Sequence, residues 1–122
     1  MIDHIGIQAE NLAASAGFYD RVLAPLGQRR VMDFGEAIGY GSGDHPDFWI
    51  GRREDQIPNR PIHLAFVAPD RDAVLAFGAA AEAEGMEILH APRVWPEYHD
   101  NYFAVFVRDP DGNNVEAVCH HP

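Results

Sequence analysis

The chain contains no lysine. All nine positive side chains are arginine, set against nineteen acidic ones, for a formal net charge of -10. Without lysine there is no Schiff-base or lysine-nucleophile chemistry, and no Walker-type phosphate loop, which needs its Lys. Cysteine is almost missing as well. A single Cys119 can form neither an intrachain disulfide nor a multi-cysteine zinc centre, and is expected to be an inert core thiol. The basic patch that phosphate binding requires is absent, so no nucleic acid and no anionic membrane is expected as partner. No stretch approaches the ~20 apolar residues of a membrane span. The opening Met1-Ile2-Asp3-His4 lacks the positive segment and apolar run of a signal peptide. A lone thiol suits a reducing compartment, and a cytoplasmic protein is expected.

What is present fits one folded domain. The chain has 122 residues, 47% of them apolar, enough for a core without disulfide staples. Seven histidines on a carboxylate-rich background leave imidazole and carboxylate chemistry open, meaning metal binding or acid–base work.

The two halves resemble each other. His4-Ile-Gly-Ile and His63-Leu-Ala-Phe each open a short apolar strand, followed by a helical stretch and a terminating glycine, Gly27 or Gly85. The spacing predicts a first helix capped by Asn11 and a second starting at Asp70. Strand-like pieces follow at about 29–34, 36–41 and 47–51, then at about 86–89, 102–108 and 113–119. Asp109-Pro110-Asp111-Gly112 reads as a turn. Each half is therefore expected to be βαβββ, an α+β class, with module one at about 1–52 and module two at about 61–122. An insertion from about His90 to Asn101, rich in Pro, His, Tyr and Trp, is expected as a loop.

Alternation along strands assigns faces. Ile5 and Ile7 share one face and His4 takes the other. Leu64 and Phe66 share one face and His63 takes the other. In the last strand Glu116 points away from Val115 and Ala117. Equivalent strands placed side by side would bring His4 close to His63. Two His and one carboxylate form a facial ligand set for a divalent metal, Fe, Mn, Zn or Ni.

The segments Asp3-His4-Ile5-Gly6-Ile7, Phe18-Tyr19, His63-Leu64-Ala65-Phe66 and Asp109-Pro110-Asp111-Gly112-Asn113-Asn114-Val115-Glu116 together resemble the vicinal oxygen chelate superfamily. Its members include glyoxalase I, bleomycin-resistance proteins, fosfomycin-resistance proteins and ring-cleaving dioxygenases. The resemblance covers nearly the whole chain. It implies one domain over 1–122, an open eight-stranded cup with the helices outside, and a metal in the cup held by His4, His63 and Glu116. Trp49 stands where glyoxalase I has a fourth protein ligand, and Trp cannot coordinate. A homodimer is also implied, in some relatives with each barrel built from modules of two chains.

The expected function is then a metal-dependent enzyme on a small molecule with vicinal oxygens, of lyase, isomerase or dioxygenase type. The alternative is a metal-free protein that sequesters a small molecule, as bleomycin-binding relatives do. Glu116 and His99 are the candidate acid–base residues. Trp49, Trp95, Tyr98, Tyr102 and Phe106 are the candidate substrate-binding surfaces.

Overall fold

A computed structural model describes residues 1–122. The first module runs through β1 (Ile5–Gln8), α1 (Leu12–Leu23), a short 3₁₀ turn (Ala24–Leu26), β2 (Arg29–Asp33), β3 (Ala37–Gly41) and β4 (Phe48–Gly51). The second runs through β5 (His63–Val67), α2 (Arg71–Ala83), β6 (Ile88–Val94), β7 (Phe103–Arg108) and β8 (Asn114–Cys119). Both helices start where the sequence predicts. Asn11 accepts a hydrogen bond from the Ala14 amide at 3.1 Å, and Asp70 accepts one from Ala73 at 2.8 Å. These caps satisfy amides that the first helical turn leaves without partners. Gly27 and Gly85 follow the helical segments at φ 81° and 76°, a left-handed backbone that glycine adopts without steric cost.

The strands form two four-stranded sheets with the same order, β1-β4-β3-β2 and β5-β8-β7-β6. In each, the first and last strands of the module run parallel, and the rest are antiparallel. The sheets do not close on each other, which leaves an open cup. The βαβββ repeat is thus present as two sheets and two helices.

One strand departs from expectation. The sequence ends the sixth strand at about residue 89 and begins a loop at His90. The structure instead continues β6 through Ala91 and Pro92 to Val94, with register irregularities at Ile88/His90 and His90/Arg93. Strand β6 lies at the sheet edge, where proline's missing amide costs no central ladder bond.

The main core fills the space between helices and sheets. Tyr19, Val22, Val74, Phe77 and Ala81 from the helices meet Ile50, Val105, Val107, Val115 and Ala117 from the strands, all fully buried. Phe48 of the first module packs edge-on against Phe66 of the second, with ring centroids 5.1 Å apart. Cys119 is buried in the same core, in agreement with the expected inert thiol.

The turn between β7 and β8 joins the modules. Asp109, 3% exposed, accepts hydrogen bonds on Oδ1 from the amides of Asp111 and Asn113. On Oδ2 it accepts from the Asn113 side chain and from the Tyr19 hydroxyl of α1, the last at 2.6 Å. Asn113 Oδ1 in turn accepts from the Ile62 amide and from Asn59, whose own Oδ1 receives the Gln8 amide of β1. Burial and the neighbouring Asp109 carboxylate push the Tyr19 phenol far above its ordinary pKa, so it stays a donor. No helix is long and apolar enough to cross a membrane.

Candidate functional site

The concave face of the second sheet is built from one row of aligned residues. Ala65 pairs with Glu116, Glu116 with Phe106, and Phe106 with His90, across β5, β8, β7 and β6. Paired residues in neighbouring strands project to the same side, so these four share the concave face. Beside this row His63 pairs with Asn114. The burial of β5 alternates, with His63, Ala65 and Val67 exposed and Leu64 and Phe66 partly buried, as the period of two requires.

Glu116 is the centre of the face. It is 1% exposed, and both carboxylate oxygens are engaged. Oε1 lies 3.0 Å from His63 Nε2, and Oε2 accepts from the Tyr102 hydroxyl at 2.5 Å. A carboxylate this deep is retained only when hydrogen-bonded or paired. Burial and the hydrogen bond to Glu116 raise the Tyr102 phenol above its ordinary pKa, so Tyr102 remains protonated and donates. His63 is half exposed and stacks on Phe106, centroids 6.0 Å apart at 21°.

A cavity of about 240 Å³ opens next to this pair, lined by His63, His90, Trp95, Tyr98, Phe106 and Asn114. Trp95, 8% exposed, belongs to a small second core with Ala104, Phe106 and Val118. Its indole N–H donates to the Ala104 carbonyl at 3.1 Å, and the Arg93 guanidinium lies 3.4 Å from its ring centroid. Trp95 is thus a fixed wall, held by packing and a cation–π contact. Tyr98, stacked on Trp95 at 6.1 Å, is the exposed wall.

The structure therefore gathers His63, Glu116, Trp95, Tyr98, Tyr102 and Phe106 on one face. It does not gather the other candidates there. His4 precedes β1 and bonds Asp3 at 2.7 Å; Asp3 also reaches His45 at 3.1 Å. His4 and Trp49 line a separate cavity on the first sheet, where Trp49 stacks on Phe34 at 5.9 Å and 10°. Within one chain His4 and His63 line different cavities, and β1 and β5 are not hydrogen-bonded neighbours. No group of three or more His, Cys, Asp and Glu side chains comes together to hold a metal ion. One chain supplies two donors, His63 and Glu116.

His99 also lies apart from Glu116. Its Nε2 is 2.8 Å from Nδ1 of His120, and its Nδ1 accepts from the Asn101 amide. It touches the site through the ring of Tyr102, edge-on at 5.4 Å.

Two lining residues escaped sequence reasoning. His90 was assigned to a loop, and the continued strand turns it onto the concave face. Asn114 stood inside a motif read as a turn and strand start. For Asn114 the signal was the alternation already used for Glu116, two residues away on the same strand; for His90 no such signal stands in the sequence, because β6 is irregular on both sides of it.

The chain matches the Glyoxalase/Bleomycin resistance protein/Dioxygenase superfamily over residues 1–117. It belongs to that superfamily. Among solved structures it is similar to a glyoxalase/bleomycin resistance protein from Albidiferax ferrireducens, at 25% identity and a TM-score of 0.84, covering 96% of this chain and 97% of that one. A putative glyoxalase from Bacillus halodurans matches at 26% identity and a TM-score of 0.75, covering 98% and 95%. A lactoylglutathione lyase from Agrobacterium tumefaciens shares the fold at 23% identity and a TM-score of 0.69, covering 98% and 92%. No curated protein matches the chain. Proteins of this superfamily bind small molecules, commonly use divalent metals and often form dimers.

Proposed function

We propose that this glyoxalase-superfamily protein is a metal-dependent enzyme acting on a small molecule at the concave face of its second sheet. The reaction is of lyase, isomerase or dioxygenase type. The observation that carries this reading is the His63–Glu116 pair, 3.0 Å apart, with His63 in the wall of a ring-lined cavity. Imidazole and carboxylate are the donors that Fe, Mn, Zn and Ni accept. His63 and Glu116 would hold the ion, with His4 of a second copy as third ligand in a homodimer whose cups combine modules of two chains. When bound, such an ion acts as a Lewis acid towards two neighbouring substrate oxygens.

The chain's own residues do the remaining work. Tyr102 holds Oε2 of Glu116, which aims Oε1 at His63. Phe106 fixes the plane of the His63 ring. Glu116 is the acid–base group nearest a bound substrate, while Trp95 and Tyr98 restrict water. His99 takes part through Tyr102, whose ring it meets edge-on. The lone thiol is consistent with a cytoplasmic location.

Metal analysis and sizing of the purified protein test this reading. The expected result is a dimer that binds one metal ion per chain, with affinity lost in His63→Ala, Glu116→Gln and His4→Ala. Retention of full affinity in His4→Ala overturns the shared site. No binding of added Fe²⁺, Mn²⁺, Zn²⁺ or Ni²⁺ by the wild-type protein overturns the metal.

A second reading is a metal-free binding protein of the bleomycin-resistance type. It is favoured by the lining of the cavity, where five of six residues carry rings. Ligand-dependent tryptophan fluorescence in the presence of a chelator, with no metal uptake, distinguishes it.

A further inference from the structure

Two histidines outside the cavity meet through their ring nitrogens. His99 lies on the turn before β7, and His120 follows the last residue of β8. The β7–β8 ladder ends at the Phe103–Cys119 pair, so Tyr102 and His120 stand just beyond it. His99 Nε2 is 2.8 Å from His120 Nδ1, with ring centroids 5.1 Å apart. With those two distances the imidazoles lie end to end, as an N–H···N bond requires.

The backbone decides which nitrogens carry protons. The Asn101 amide donates to His99 Nδ1 at 3.1 Å. A backbone amide only donates, so this nitrogen presents its lone pair, and the proton of neutral His99 sits on Nε2. His99 Nε2–H therefore donates to His120 Nδ1, and the proton of neutral His120 sits on its own Nε2. Both bonds exist together only while both rings are uncharged. A second proton on His99 enters at Nδ1, against the Asn101 amide. A second proton on His120 enters at Nδ1, against His99. The ring-to-ring bond then survives only if His99 moves its proton to Nδ1 and gives up Asn101.

Tyr102 meets both rings edge-on, His99 at 5.4 Å and His120 at 5.3 Å, and its hydroxyl donates to Glu116. The other titratable or charged groups around the pair are Tyr98 and Asp100 on the turn, Cys119 and His121 beside His120, and Arg71 of α2, which donates to the His121 carbonyl. None of these hydrogen-bonds to either imidazole ring. The ring-to-ring bond is exposed and adds little to overall stability. Its consequence is where Tyr102 lies.

We propose that His99 and His120 are positioning residues for Glu116. Their bond clamps the Tyr102 ring so that its hydroxyl stays on the carboxylate, and protonation of the pair releases it. This rests on the reading above that Glu116 works in the site, and it adds a control of that site by pH.

The test uses the full-length protein with a chelator present. It reads the NMR signals of the imidazole nitrogens and of Tyr102 Cζ, the carbon that bears the hydroxyl. At about pH 8, where imidazole is neutral, His99 and His120 should both be Nε2–H tautomers. An Nδ1–H tautomer at either residue overturns the proposal. Between about pH 8 and pH 5, where imidazole gains its proton, the Tyr102 signal should move. The double variant His99→Gln, His120→Asn supplies the control. Its amide N–H stands in for Nε2–H and its amide oxygen for Nδ1, so the bond is kept and no proton can be added. His63 and Glu116 are present in both proteins, so a movement lost in the double variant belongs to the pair. Equal movement in both proteins overturns the proposal, as does a wild-type signal that stays still. His120→Leu removes the acceptor. Its Tyr102 signal should already be displaced towards the acid position at about pH 8, with little change in the urea midpoint; an undisplaced signal overturns the clamp. The tautomers, read on wild type alone, decide the matter even where a variant does not fold. No metal and no substrate enters these readouts. Their failure leaves the metal reading standing, and a failure to bind metal leaves the clamp standing.

Discussion

Trp49 and Glu116 hold the same position in the two halves of the molecule. Trp49 pairs with Gly6 across β4 and β1, and Glu116 pairs with Ala65 across β8 and β5. Gly6 and Ala65 are themselves repeat partners, 59 residues apart as His4 and His63 are. At this shared position one half carries an indole stacked on Phe34. The other carries a carboxylate held by Tyr102 and His63. The two concave faces have therefore diverged, one towards apolar contact and the other towards polar chemistry.

The Tyr102 hydroxyl is the structural support of Glu116. Tyr102→Phe removes one of the two hydrogen bonds to a buried carboxylate. Hydrogen bonds to charged groups contribute about 1.5–3 kcal/mol, and Tyr102 is partly solvated, so a loss near the lower end, about 1–2 kcal/mol, is expected in urea denaturation. A change within error would mean that water replaces the phenol without cost.

Across the module junction, Tyr19→Phe should be the more damaging change. Tyr19 is fully buried and its hydroxyl meets the buried Asp109 at 2.6 Å. The substitution leaves that carboxylate oxygen with only the Asn113 side chain. A loss of about 1.5–3 kcal/mol is expected, read as a lower denaturation midpoint with the slope unchanged. A changed slope would indicate that the modules separate before they unfold.

Acid should weaken the fold through Asp20. Burial raises its pKa, but the Arg30 guanidinium and the Tyr40 hydroxyl outweigh that and hold it below the ordinary 3.8. Arg30 binds both oxygens, at 2.8 and 2.7 Å, and Tyr40 donates at 2.9 Å. A carboxylate depressed in the folded state contributes stability above its unfolded pKa, and that contribution is lost as pH falls through the folded value. Wild-type protein should lose this increment below about pH 3.8, whereas Asp20→Asn should lack it at every pH. Parallel stability curves for the two proteins between pH 7 and pH 3 would contradict this.

At the alkaline end the sign reverses. Burial and the hydrogen bond to Asp20 raise the Tyr40 phenol above its ordinary 10. A phenol whose folded pKa is raised contributes stability below pH 10 and loses it as pH rises through the folded value. Tyr40→Phe should therefore be less stable than wild type at pH 8, with the gap narrowing above pH 10. Thermal unfolding at pH 8, 10 and 11 measures it; a constant gap would contradict the assignment.

Much of the fold was legible because it is written in periodicity. The helix caps at Asn11 and Asp70, the stops at Gly27 and Gly85, and the face of Glu116 all follow from local rules. His90 was not legible, since Pro92 suggests a break and only the edge position of β6 makes proline harmless there. The Tyr102–Glu116 contact depends on the register between β7 and β8, which no residue pattern specifies. The separation of His4 from His63 was hidden for another reason. Alternation tells which side of a strand a residue takes, but not how two sheets sit against each other.

The Asp109–Asn113 turn binds α1, the approach to β5 and, through Asn59, β1, with a side-chain oxygen as the acceptor in every bond. Of the connecting stretch from 52 to 60, only its end at Asn59 takes part in this network, and the rest is relieved of holding the halves together. A chain cut within that stretch, expressed as two fragments, should reassemble into the same particle, and should fail to do so when Asp109 is replaced by alanine. Because the two modules share one hydrophobic core, any exchange of partners between copies has to rebuild that core with the other chain's module.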